Sequence, residues 1–174
     1  MASFTLTSRS RFAVTRPSNN TIPWDKLFTA AGRSDVDAAL RKTYEAIERD
    51  IAERNPTCWL SGKCCHFDSY GHRLYVTALE AAWVLKQEPT PAIEADPTQL
   101  DGCVFQRNKL CGVHAIRPLG CRVFFCDPSA TWQNDVYEMH LKSLRALHER
   151  FDLPYHYLEW RVALDEARRS RGAM

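Results

Sequence analysis

No stretch of this chain approaches the roughly 18 consecutive apolar residues that a membrane-spanning helix needs, so a soluble protein without a membrane partner is expected. Charge of one sign is also scarce. The 23 basic and 21 acidic residues leave a formal charge of +2, too little to imply a nucleic-acid partner, and no basic patch interleaved with aromatics takes its place. Met1 to Asn20 lacks the apolar stretch of an export signal. Without export, thiols stay reduced, and a cytoplasmic location is the expectation. The patterns G-x-G-x-x-G, P-loop, G-x-S-x-G and H-E-x-x-H are all missing, which removes the usual sequence support for dinucleotide or nucleoside-triphosphate binding, nucleophile-elbow hydrolysis and zinc peptidase chemistry.

What is present reads as an ordinary globular chain. Its 174 residues are 25 % charged and 45 % hydrophobic, enough for one domain with its own core. The first 23 residues carry Arg9, Arg11 and Arg16 and no acid before Asp25. That bias has a loose likeness to an organelle transit peptide, but no amphipathic helix accompanies it, and a disordered tail over 1–23 is expected ahead of a single domain over 24–174.

Helical periodicity dominates that domain. Val36, Leu40, Tyr44, Ile47 and Ile51 recur at three- and four-residue steps, predicting a helix from an N-cap at Ser34 to about Arg54, closed by Asn55-Pro56. Asp37 with Arg41, and Glu45 with Arg49, have the i, i+4 spacing of an exposed helical face. A short strand over 73–76 leads into Thr77 and Glu80, which have capping-box spacing, and a helix over 78–86 ends before Pro89. The Pro-rich segment 87–99 reads as a surface loop. Residues 103–106 and 110–111 flank the polar turn Arg107-Asn108-Lys109 as a small hairpin. One helical turn fits 113–117, stopped by Pro118. A helix over 130–150 is expected from the face Trp132, Val136, His140, Leu144, Leu147 and Phe151, with His140 and His148 as ordinary amphipathic or surface residues. Pro154 suits the first turn of a last helix reaching about Arg169. The fold class is α+β and mostly helical, a helical scaffold around a cysteine-rich loop and small hairpin.

The informative residues are the seven cysteines, an odd number that cannot pair completely as disulfides. Cys58, Cys64 and Cys65 form one group; Cys103, Cys111 and Cys121 form a second, with Cys126 close behind. Short-spaced ligands completed by a distant second group are how a chain wraps a metal, and thiolates suit both zinc and iron–sulfur clusters. All seven are candidate ligands, within a cysteine-cluster core over 58–126. A cysteine nucleophile with a histidine base is the competing reading, but so many neighbouring thiols make metal the simpler account.

Cys58-x-x-Ser61-x-x-Cys64-Cys65, followed by Cys103 and by Arg117-Pro118-Leu119-Gly120-Cys121-Arg122, resembles the C-x-x-C-x-x-C-C family of zinc- or iron-chelating cysteine-cluster proteins. The resemblance covers about residues 58 to 126. Ser61 stands where the family has its second cysteine, and a serine hydroxyl is a poor substitute for thiolate. The flagellin lysine N-methylases carry a similar pattern, so the resemblance allows a metalloenzyme that modifies a protein side chain. No substrate or cosubstrate motif accompanies that alternative. The reading adopted is a metal-binding protein whose centre serves structure, metal handling or electron transfer, with no protein partner identified.

Spacing bears on the metal. Seven residues separate Cys103 from Cys111 and nine separate Cys111 from Cys121, unlike ordinary zinc knuckles. Adjacent Cys64 and Cys65 strain to share one tetrahedral ion. A cluster with several irons eases both, so an iron–sulfur cluster is preferred over a single zinc or iron ion. His66 and His114 adjoin the cysteine segments as further possible ligands, each also readable as a surface or supporting histidine. Arg117 and Arg122 either offset thiolate charge or pair with acids. Phe105, Phe124 and Phe125 are either a dry wall for the centre or plain core.

Overall fold

The computed structural model describes residues 21–59, 61–88 and 102–172. In chain order these form α1 (Trp24–Ala31), α2 (Ser34–Arg54), a 3-10 turn (Lys63–Cys65), β1 (Tyr75–Thr77), α3 (Ala78–Gln87), β2 (Gln106–Arg107) and β3 (Leu110–Cys111). A second 3-10 turn (His114–Ile116), α4 (Leu119–Val123), α5 (Gln133–Arg150), β4 (Tyr157–Glu159) and α6 (Trp160–Gly172) follow. The class is α+β and mostly helical. No helix among the described residues is long and apolar enough to cross a membrane. The expectations for 1–20 and for 89–99 lie outside the described residues.

Helix α3 is the centre of the scaffold. Every residue from Ala78 to Leu85 is buried, because α1 and α6 pack on it while β1 enters from its N-terminus. A helix buried all round has no polar face, so its one internal acid, Glu80, needs partners. The Glu80 carboxylate accepts from Thr77 N at 2.9 Å, from the Tyr44 hydroxyl at 3.1 Å and from Leu119 N at 2.8 Å. The first of these bonds, with Glu80 N donating to Thr77 Oγ1 at 3.3 Å, completes the expected capping box. The other two tie α2 and α4 to α3.

The apolar stripe of α2 is buried as its periodicity predicts: Val36, Leu40, Tyr44, Ile47 and Ile51 all face the core. Asp37 and Arg41 pair at 2.9 Å. Ser34 is the first helical residue rather than the cap, because Asp35 supplies the acceptor, taking the Val36 N–H at 2.9 Å. Asn55 ends the helix in the left-handed region, at φ 44°.

Three local expectations give way to tertiary contacts. The predicted strand sits at Tyr75–Thr77 because it pairs antiparallel with β4, Tyr75 opposite Glu159 and Thr77 opposite Tyr157. That pairing removes Pro154 from any helix: Ala78 N–H donates to His156 O at 2.9 Å and Trp160 N–H to Leu74 O at 2.8 Å, so the last helix starts only at Trp160. His140 is buried on the apolar face that its periodicity predicts, while His148 is buried and not at the surface. His140 Nε2 lies 2.7 Å from Asp50 Oδ2, joining α5 to α2, and His148 Nδ1 is 2.9 Å from Pro154 O.

Candidate metal centre

Two chain segments meet at the cysteines, and glycine lets them meet. Residues 61–62 lie against the β2–β3 hairpin, where Gln106 Nε2 donates to Gly62 O at 2.9 Å. Gly62 has φ 73°, and a Cβ there would stand 2.8 Å from Gln106 Nε2 and 2.9 Å from Lys109 O, so only glycine fits this crossing. The second crossing is at Gly102, where a Cβ would lie 2.5 Å from Cys65 O. Its neighbour Cys103 donates its N–H to that same carbonyl at 2.8 Å.

The hairpin turn uses Asn108 (φ 50°) and Lys109 (φ 65°), the two successive positive φ values of a type I′ connection. It sets Gln106 opposite Cys111, and Gly112 N–H donates to Phe105 O at 2.8 Å. The chain then makes the turn at 114–116 and enters α4, a short helix that the sequence pattern did not reveal and that carries Cys121. Arg122 fastens this segment. Its Nε donates to Arg117 O at 2.7 Å and its Nη2 to Ala115 O at 2.9 Å, while Nη1 pairs with Glu48 and the guanidinium lies 4.2 Å from the Tyr44 ring centroid. Arg122 is therefore a structural ion-pair residue. Both Arg117 and Arg122 border the cysteine cavity, and Arg122 is the one of the two held there by an acid.

That cavity has a volume of about 290 Å³, and all seven cysteines lie on its wall. Cys65 is the buried member of the first group, and its thiol is close enough to those of Cys103, Cys111 and Cys64 to shift with them. The Cys64 and Cys65 sulfurs are 4.0 Å apart. Two sulfurs bound to one ion at ~2.3 Å in a tetrahedron stand ~3.8 Å apart, so adjacency does not bar this pair from a common ion. Cys121 joins from α4, close enough to feel Cys103, Cys111 and Cys64 electrostatically. Cys58 is exposed, and Cys126 stands 3.7 Å from Ser61 Oγ. Among the described residues, no group of three or more His, Cys, Asp or Glu side chains meets the geometry of a metal-ion site.

The electrostatics divide the thiols. The neighbouring thiols of Cys103, Cys111 and Cys64 push the Cys65 thiol above its ordinary range. Its partners ionise more readily. The bond from Cys65 pulls Cys64 down to about 6 and Cys111 to about 7, with the Arg117 guanidinium adding to both. The same bond lowers Cys103, as does the Trp160 indole N–H. Burial raises Cys121 well above the ordinary thiol range, and the neighbouring Cys103 and Cys111 raise it further. Thiols whose ionisation is eased by their neighbours are more reactive and better suited to metal uptake, which displaces thiol protons.

The remaining expectations separate cleanly. His114 lines the cavity, is exposed and contacts Arg117 Nη1. Burial and the Arg117 and Arg122 charges depress its pKa. His66 packs edge-on against Tyr70, with ring centroids 6.4 Å apart. Phe124 and Phe125 line the cavity, whereas Phe105 is buried against Trp160, 5.8 Å away. Two supporting residues escaped the sequence pattern: His72, stacked on Phe124 at 4.6 Å, and Trp160, whose Nε1 donates to Cys103 Sγ at 3.4 Å. Neither has a cysteine beside it in sequence to draw attention to it.

Comparison with family models, with curated proteins and with solved structures gives no match.

Proposed function

We propose that this protein holds a metal centre, either an iron–sulfur cluster or a zinc or iron ion, with Cys64, Cys65, Cys103, Cys111 and Cys121 as its principal ligands and Cys58 and Cys126 at the mouth. One observation carries the reading: all seven cysteines, from chain segments far apart in sequence, line a single cavity, with the Cys64 and Cys65 sulfurs 4.0 Å apart in its wall. Hydrophobic burial alone gives no reason to bring reactive thiols so close, while thiolate ligation does. The donor set fits the group, being rich in sulfur, supplied by short turns and backed by a guanidinium that offsets negative charge.

Bound metal would supply cross-linking of irregular backbone, or one-electron chemistry if it is an iron–sulfur cluster. The chain's own contributions are more specific. Gly62 and Gly102 permit the approach of the two halves. Trp160 donates a hydrogen bond to Cys103 sulfur, and Phe124 and Phe125 shield the wall. A reducing compartment such as the cytoplasm suits seven free thiols. The decisive measurement is anaerobic purification with a visible spectrum and metal and sulfide analysis. Brown protein with iron and acid-labile sulfide supports a cluster, colourless protein with stoichiometric zinc supports an ion, and metal-free protein after growth in metal-supplemented medium rejects the proposal.

A further inference from the structure

The segments that carry the cysteines have a charge bias that the chain as a whole conceals. Residues 54–67 and 102–126 contain Arg54, Lys63, Arg107, Lys109, Arg117 and Arg122 and not one Asp or Glu, leaving 17 basic against 21 acidic residues for everything else. Compensation of thiolate charge accounts for Arg117, and the Glu48 pair accounts for Arg122. It does not account for Lys63, Arg107 and Lys109, which are exposed. Lys63 follows Gly62, whose Cβ position lies 3.2 Å from the Lys109 Cβ, so these two lysines lie together at the hairpin tip, while Arg107 stands opposite Leu110 in the hairpin and donates to Val104 O and Gln106 O. The same face exposes two large apolar side chains at the cavity wall, Trp59 at 55 % and Leu110 at 57 %.

We propose that this face docks an acidic protein surface, with Trp59 and Leu110 as its apolar centre and Lys63, Arg107 and Lys109 as its cationic rim. An exposed tryptophan sharing a cavity wall with an exposed leucine and a lysine has the make-up of a protein-binding hot spot. The aliphatic Leu110 at the centre and the small number of cations favour a protein over a nucleic acid, whose binding scales with phosphate contacts. Docking here brings a partner directly over the cysteine cavity, where a metal or electron donor has to be. The inference stands on the surface itself and does not require the cavity to hold metal.

The test uses the full chain and a fluorescein-labelled peptide of repeating Glu-Glu-Leu triplets, followed by fluorescence anisotropy. Saturable binding that weakens with added salt is expected. The double variant Lys63→Glu, Lys109→Glu should weaken it at least about threefold, through two lost exposed charge pairs and the new repulsion, and Trp59→Ser with Leu110→Ser about tenfold or more. Circular dichroism confirms that each variant is folded. Affinity unchanged in both variants, no saturable binding of the peptide, or tighter binding of a single-stranded oligonucleotide of equal length would each overturn the proposal. Metal analysis of the same samples keeps the two readings apart, since peptide binding without metal rejects only the metal centre.

Discussion

The indole Nε1 of Trp160 donates to Cys103 Sγ at 3.4 Å in the buried floor of the cavity, across 57 residues of sequence. A donor aimed at sulfur stabilises thiolate over thiol, and Cys103 is accordingly held below the ordinary thiol range, first by Cys65 and then by this bond. Trp160→Phe should therefore move the Cys103 thiolate titration to higher pH, followed by ultraviolet thiolate absorbance. In metal-loaded protein the variant should shift the sulfur-to-metal charge-transfer band. An unchanged titration and spectrum would confine Trp160 to packing.

Removing a ligand should lower metal content and thermal stability together, because binding energy becomes folding energy where ligands lie on turns. Cys111→Ser and Cys121→Ser are expected to show both losses, and Cys126→Ser, at the cavity edge, a smaller one. The checks are metal analysis and calorimetric melting; full occupancy in Cys121→Ser removes that residue from the ligand set.

Ser61 Oγ lies 3.7 Å from Cys126 Sγ. In Ser61→Cys the introduced thiol stands next to Cys126, close to the approach a disulfide needs. Under mild oxidation the variant should form this cross-link, seen by peptide mapping, whereas under reduction it should bind metal more tightly than the wild type. Unaltered metal affinity in the reduced variant would place Ser61 outside the coordination chemistry.

Glu80 holds α4 against α3 and α2 through Leu119 N and the Tyr44 hydroxyl. Glu80→Gln keeps one acceptor oxygen but turns an amide N–H₂ toward the Thr77 N–H, with an expected loss of about 1–3 kcal/mol in urea unfolding. Burial raises the Glu80 pKa despite these bonds, so the native state favours the protonated acid. Its contribution to stability is fully present below the ordinary carboxyl pKa and declines as pH rises through the elevated one. The difference between wild type and Glu80→Gln should therefore shrink from pH 4 to pH 8.

His148 predicts the opposite slope. Its Nε2 is buried without a partner while Nδ1 serves Pro154 O, and burial depresses its pKa below the ordinary histidine value. A depressed value gives stability that is present above about pH 6.5 and lost as pH falls through the folded value. Melting temperature should fall between about pH 6.5 and pH 5 in the wild type and fall less in His148→Asn, which retains a donor for Pro154 O.

How far each element was legible depends on the range of the force that decides it. The stripe on α2, the Thr77–Glu80 box and the Asn108-Lys109 turn are governed by neighbours within a few residues, and all are visible in the string of letters. Ser34 was misplaced by one position because Asp35 competes for the same backbone donor. Helix α4 was missed because five residues are too few to show a period. The strand at 157–159 forms only because Tyr75–Thr77 lies alongside it, a contact across some eighty residues that erases the helix start suggested by Pro154.

The sequence by itself determined a mostly helical α+β chain, a capped buried helix, a tight hairpin, and a set of cysteines too close in type and spacing to be incidental. It carried these because propensity, capping and turn chemistry act locally. Tertiary structure alone decided that Cys65 lies close to thiols from the far segment, that Arg122 at the cavity border is bound to Glu48, and that Trp160 reaches Cys103. Each of these depends on close packing between segments far apart in the chain, and such packing is settled only when the whole core closes.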